Sequence, residues 1–464
     1  MTEHKSKDLG SGSIGKLLFS LAVPTVTAQL VNMLYNIVDR MYIGHIPEIG
    51  AAALTGVGVT FPILMLISAF SSLVGTGGAP LASIKMGKGD NKGAEKILGN
   101  CMALLLVISV CLTVIFLVFQ EELLLLFGAS ENTLPYAKGY LSIYVCGTVF
   151  VQLSLGLNSF ITAQGFTKVS MMTVVIGAFI NLVLDPVFIF VFNMGVQGAA
   201  IATVISQLVS SVWVVKFLLG ERTALKIRRC NLKLELKVIL PALGLGLAPF
   251  IMQSTDCLMN VAYNSSFQKY GGDIAVGAMT VQTSLMQFLI LPIVGICQAA
   301  QPITGFNYGA GNAARVKKTF QLMLISCVIY AVLFWGSLMS FPKVFISIFT
   351  NDPNLIEMAS WAVRIYLGAA VVLGVQISCQ NMFLALGQSK SSLFLALLRK
   401  VVLIIPLIYI LPNFFEDKVF AVCLSGPISD VLATLAAVIL FAIQFRGILN
   451  KMEARNRPEE VWEG

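Results

Sequence analysis

Long apolar runs follow one another along the chain, separated by short polar interruptions. At a rise of about 1.5 Å per residue, a helix needs about 20 such residues to cross the hydrocarbon of a bilayer. Twelve runs meet that length: 15–43, 54–84, 96–119, 138–163, 169–193, 196–219, 238–266, 275–306, 318–341, 359–386, 391–412 and 418–445. Several exceed the minimum, which predicts tilt, kinks or extension beyond the bilayer. Outside them lie polar tails at 1–13 and 447–464 and a basic linker at 221–237. The pattern predicts an all-α polytopic membrane protein of twelve transmembrane helices, numbered below as spans 1 to 12.

Composition agrees with that pattern. The 464 residues are 57% hydrophobic and only 12% charged, with mean hydropathy +0.85. A soluble protein is nearer to a quarter charged, and so few charges could not cover a water-facing surface. The tail at 1–13 lacks an apolar core with a small-residue cleavage site, so a cytoplasmic tail is expected there instead of a signal peptide. Net charge is +8, but its placement points to topology and not to nucleic acid. Most Lys and Arg fall on one side, such as Lys85, Lys88, Lys92 and Lys96 after span 2 and Arg222, Lys226, Arg228 and Arg229 in the linker. Arg40, Lys138, Lys269, Lys343 and Lys418 fall on the other. The positive-inside rule then puts both termini in the cytoplasm. Nine scattered cysteines without a CxxC, and only two histidines, argue against a disulfide framework or histidine-based metal chemistry.

The sequence overlays itself when shifted by 222 residues. LFGASENTLPYAKGYLSIY (126–144) faces IFTNDPNLIEMASWAVRIY (348–366), Pro80 faces Pro302, and AQGFTKVS (163–170) faces ALGQSKSS (385–392). Two six-span lobes are therefore expected, 14–220 (N-lobe) and 238–446 (C-lobe), joined by the linker and inserted the same way up. Paired bundles around a cleft suit alternating access, in which one lobe rocks against the other.

A carboxylate at membrane depth costs roughly 2.5–3.5 kcal/mol, so it usually faces a cavity and has a function. Asp39, Asp185, Asp256 and Asp430 lie at such depth. Tyr35 and Asp39 are four apart on span 1, and Asn181 and Asp185 four apart on span 5, so each pair shares a helix face. With Thr203 of span 6, these residues reach the same half of the first lobe. Two carboxylates meeting in a low dielectric do not both stay bare: one takes a proton, or both share a cation. Asp39 and Asp185 are thus the candidate H⁺ or Na⁺ site, with Tyr35, Asn181 and Thr203 around them. Pro186 removes a backbone donor and makes a candidate hinge. In the second lobe Gln253, Asp256, Asn260 and Asn264 form a polar stripe on span 7, read with Asp430 as candidate lining of a substrate cavity. Arg364 is expected to snorkel. Arg399 and Lys400 in span 11 have two readings, snorkelling or pairing with an acid.

GSGSIGKL (10–17) nearly spells a phosphate-binding loop but has Leu17 where Ser or Thr is needed and no preceding strand, so ATP drive is not expected. The specific signals lie elsewhere. Pro24 with MLYNIVDRMYIG (33–44), GTGGAPLASIKMGKGD (75–90), NLVLDP (181–186) and PITGFNYGAGNAARV (302–316) carry a resemblance. On them the chain resembles the multidrug and toxic compound extrusion (MATE) family over almost its whole length. The resemblance implies twelve helices in two six-helix lobes and export of bulky, often cationic organic compounds in exchange for protons or sodium. It matches the prokaryotic branch with an N-lobe cation site on Tyr35, Asp39, Asn181, Asp185 and Thr203, and helix-1 bending on Pro24. Another branch places acids in helices 7 and 10. Here span 7 offers Asp256, but span 10 has no acid, which favours the N-lobe site.

The reading is a non-enzymatic antiporter of a prokaryotic inner or plasma membrane. It is expected to work as a monomer among membrane lipids, with no cofactor, resident metal, nucleic acid or obligatory protein partner. A lipid-linked saccharide flippase of the same superfamily is the alternative, and it would need a cationic cavity for pyrophosphate. A channel or a membrane-embedded transferase fits less well: the lobes suit rocking, and no DDxxD cluster is present.

Overall fold

The computed structural model describes residues 9–47, 49–349 and 353–455. Ten helices among them are long and apolar enough to cross a membrane, and two bent helix pairs bring the number to as many as twelve. The expected architecture of twelve spans holds. The two bent spans are 4 and 10. Span 4 is Leu134–Cys146 followed by Thr148–Ala163, bent by 58°; span 10 is Pro353–Tyr366 followed by Ala370–Ala385, bent by 50°. Shifting residue 147 by 222 lands on 369, inside the second break, so the internal repeat extends to the bends. In span 4 the break residue is Gly147, where a Cβ would come within 2.6 Å of a Val204 methyl. The missing side chain lets the bend press against Gly195–Leu219, which is span 6.

Span 5 is regular from Thr167 to Pro186 and then widens into a π-helical turn, Val187–Val191. Pro186 has no N–H, so it cannot bond the Leu182 carbonyl, and the chain re-pairs at wider spacing beyond it. Phe192 N–H then reaches the Val187 carbonyl at 2.9 Å. A second π-helical segment, Leu398–Ile404, lies in span 11. Spans 7 and 8 run as one long helical stretch, Leu236–Gly309, broken at Gly272, whose φ is 63°.

Two compact units result. Among the described residues, unit 1 holds 23–82 and 91–254; unit 2 holds 9–22, 83–90 and 255–455. Each has its own apolar core. Ile63, Ile67, Leu124 and Leu141 are among the centre of the first. Tyr263, Phe267, Phe383 and Leu21 belong to the second.

The units differ from lobes drawn at 14–220 and 238–446 by exchanging short ends, for a polar reason. In unit 2, Arg315 donates to the carbonyls of Gly12, Ser11 and Leu9 at 2.8, 3.0 and 3.3 Å. Asn307 donates to Leu9 O at 2.8 Å. The entry to span 1 is thereby fastened to unit 2, and the unit boundary falls between Ala22 and Val23, beside Pro24. In unit 1, buried Glu95 accepts from Arg228 and from the Lys226 N–H. Asn100 accepts from Glu235 N–H at 2.7 Å. The Gln164 side-chain oxygen accepts from Ala224 and Leu225 N–H, both at 2.9 Å. These bonds satisfy otherwise orphaned backbone groups of the linker and hold it, with the start of span 7, on unit 1.

Candidate functional site

In unit 1, four spans converge on one polar cluster. Span 5 supplies Asn181 and Asp185, one helical turn apart on its buried face. The Asn181 amide nitrogen donates to Asp185 Oδ1 at 3.1 Å and to Thr203 Oγ1, on span 6, at 3.2 Å. Span 1 brings Tyr35, whose phenol lies close to Thr203 and to both acids, and Asp39, whose carboxyl lies beside that of Asp185. Asp185 is 0% exposed, and Asn181 and Thr203 are also buried. All five N-lobe residues singled out from the sequence therefore meet in space.

The arrangement leaves a specific chemical deficit. Asp39 Oδ1 and Asp185 Oδ2 are buried and have no hydrogen-bond donor among the described residues. Asn181 spends its amide nitrogen on Asp185 and Thr203, so neither of those two oxygens receives it. Arg40 is the cation whose charge reaches Asp39, but its guanidinium lies over the Phe61 ring, 5.0 Å from the centroid. An unpaired buried carboxylate oxygen is costly, and two facing ones repel. A proton shared between them removes both penalties. So does a small hard cation, for which carboxylate, amide and hydroxyl oxygens are the natural ligands.

Two residues of this cluster escaped the sequence reading. Tyr140 and Tyr144, on span 4, are buried and stack with ring centroids 6.1 Å apart. Tyr140 lies close to Thr203, Asp39 and Tyr35. The signal was present in GYLSIY (139–144): two phenols four apart, on one face of an otherwise apolar span. Beside Tyr35 lies a cavity of about 50 Å³, lined by Asn32, Ser154, Asn158, Gln207 and Ser210 among others. Polar side chains contribute to its lining, it is large enough for water, and Asn158 Oδ1 has no partner among the described residues.

The C-lobe candidates do not gather in the same way. Gln253 belongs to unit 1 and donates to Ser72 Oγ at 2.6 Å. Asp430, read as cavity lining, is buried and paired with Arg399, whose Nε and Nη2 sit 3.0 and 2.9 Å from its Oδ1. Asp256 pairs with Lys400. Both basic residues thus follow the acid-pairing alternative. They are adjacent, so a regular helix would point them about 100° apart. The wider π-helical turn of Leu398–Ile404 accompanies the burial of both. Asn260 and Asn264 are exposed at the four- and eight-residue positions beyond Asp256. Pro24 is buried within the first helix, Ile14–Gly44.

The MatE family profile matches this chain twice, over residues 24–187 and 250–410. The chain belongs to the MatE family. Each match covers one half, so the duplication read from the sequence reappears in the family comparison. The Multidrug export protein MepA of Staphylococcus haemolyticus (strain JCSC1435) is 25% identical over 442 residues, 95% of this chain and 96% of that one. A solved multidrug resistance MATE family transporter of the MOP superfamily, in an outward-facing conformation, has TM-score 0.89 at 23% identity over 97% of this chain and 99% of that one. A MOP superfamily transporter from Pyrococcus furiosus, described as having a binding pocket of reverse polarity, gives the same TM-score, identity and coverage. The chain is a multi-pass membrane transporter of this family and not an enzyme.

Proposed function

We propose that this transporter is a secondary antiporter that exports organic, cationic or amphipathic compounds in exchange for H⁺ or Na⁺, with Asp39 and Asp185 as its coupling site. The observation that carries this reading is the pair of neighbouring carboxyls on spans 1 and 5, each with a buried oxygen that has no hydrogen-bond donor among the described residues. Occupation by one positive charge relieves their repulsion and draws the spans together; release lets them part. Pro24, at the unit boundary of the first helix, and Pro186, before the π-turn, are the hinges of that change. With both termini in the cytoplasm, the ion enters from outside as substrate leaves. Each imported charge contributes about 2.3 kcal/mol per 100 mV of membrane potential.

The S. haemolyticus relative's name, a multidrug export protein, supports a broad organic substrate range. A saccharide-pyrophosphate flippase fits less well. It needs unpaired cations in its cavity, whereas Arg399 and Lys400 each face an acid.

The experiment is efflux of a fluorescent organic cation from proteoliposomes under separately imposed pH and sodium gradients. One of the two gradients is expected to accelerate export severalfold, with saturation in substrate. Export indifferent to both gradients would refute the antiporter reading.

A further inference from the structure

The proposed function leaves unused the ion pair between Asp256 and Lys400. Its two partners differ in one respect: the Asp256 side chain is 47% exposed, whereas that of Lys400 is 6% exposed. Charge complementarity is therefore presented asymmetrically. Whatever approaches this place meets the carboxylate first, with the ammonium behind it. The face that Asp256 presents continues through Asn260 and Asn264, both exposed and spaced by four. A carboxylate and two carboxamides in a row do not face hydrocarbon, because each would leave polar groups unsolvated there. Such a row fits a face of span 7 that borders water.

The neighbouring pair supplies the contrast. Arg399 and Asp430 are both buried, at 8% and 2% side-chain exposure. Ser429 Oγ also donates to the Arg399 carbonyl at 3.1 Å. That pair is closed to ligands and structural. The Asp256–Lys400 pair shares the π-helical segment but is open on its acidic side only. Together the four side chains are electrically neutral, so a bound organic cation adds an uncompensated positive charge unless the ammonium gives up its place.

We infer that Lys400 is a tethered competitor for the substrate's positive charge. It holds the Asp256 carboxylate until an organic cation displaces it, and so determines how strongly the transporter selects cations. The inference rests on the proposed export of organic cations and assigns Lys400 as a specificity-determining residue within it. Only charge displacement is involved; no bond is made or broken.

The test is equilibrium binding of ethidium, a fluorescent monovalent organic cation, to the purified full-length protein in nanodiscs. Lys400→Met removes the competitor and leaves Asp256 open to water. Ethidium Kd should fall by about tenfold or more, the scale expected when a like charge a few ångströms away is removed. Lys400→Arg keeps the charge and grips the carboxylate with a planar fork, so Kd should rise. In Lys400→Met/Asp256→Asn the gain should vanish. An unchanged or higher Kd in Lys400→Met, a gain that survives the loss of Asp256, or an Arg variant that binds more tightly would each overturn the inference. Should the Met variant not fold, the Arg variant alone decides by its direction. Repeating the set in an Asp39→Asn/Asp185→Asn background separates the two proposals. The Lys400 effects persist there if the inference holds, even where coupled transport is lost.

Discussion

Asp185→Asn is expected to reduce ion-driven export to the background of protein-free vesicles while leaving the protein folded, and Asp39→Asn to do the same. An asparagine at 185 fills the same space, and its amide can donate to Asp39 Oδ1, the oxygen that has no donor. Such a bond is permanent, so the variant is held as if the ion never left. Stability should move the opposite way. Replacing one of two facing carboxylates removes a buried repulsion and supplies a donor, worth about 1–3 kcal/mol. Thermal unfolding in detergent should therefore shift upward as transport disappears, a trade between function and stability expected where a site stores an unfavourable charge arrangement. Export assays and melting curves on the same preparations check both signs. Undiminished export in both variants would remove these acids from the mechanism.

The second large effect is expected at the buried pair of unit 2. Arg399→Met or Asp430→Leu alone leaves a buried, uncompensated charge, which costs about 3–5 kcal/mol. The double variant Arg399→Met/Asp430→Leu should recover most of that loss, because two apolar side chains of similar bulk need no partner. Unfolding midpoints of the four proteins give the coupling directly. Single variants as stable as the parent would show that the pair carries no structural weight. The pair differs from Asp256–Lys400 in its expected response: a closed pair responds in stability, an open one in ligand selectivity.

The spans were legible because hydrocarbon thickness imposes a length and an apolar composition that no packing detail can override. The bends in spans 4 and 10 were not, since Gly147 inside an apolar run reads as well for helix packing as for a break. At the candidate site, spacing placed Asn181 with Asp185 and Tyr35 with Asp39, because a four-residue interval fixes a helix face. It could not show which faces meet. Tyr140 and Tyr144 were missed for that reason: which residues of span 4 approach Thr203 depends on the tertiary bend. The same limit left Arg399 and Lys400 undecided. A π-helical turn alters the angular interval between neighbours, and the residue names do not announce it. The exchange of helix ends between units was also hidden, because it rests on Arg315 and Asn307 binding backbone carbonyls of residues 9–12, groups that every sequence possesses.

In the proposed mechanism one small cation, lodged between Asp39 and Asp185, moves against the substrate. The most direct measurement is ion movement itself. An outward substrate gradient is imposed across proteoliposomes, and H⁺ and Na⁺ fluxes are recorded with a lumenal pH dye and a radioactive sodium tracer. One of the two ions is expected to move opposite to the substrate, saturably, and this flux to be absent from the Asp39→Asn/Asp185→Asn protein. Substrate crossing at the parent rate with neither ion moving, or counterflow undiminished in the double variant, would contradict that mechanism.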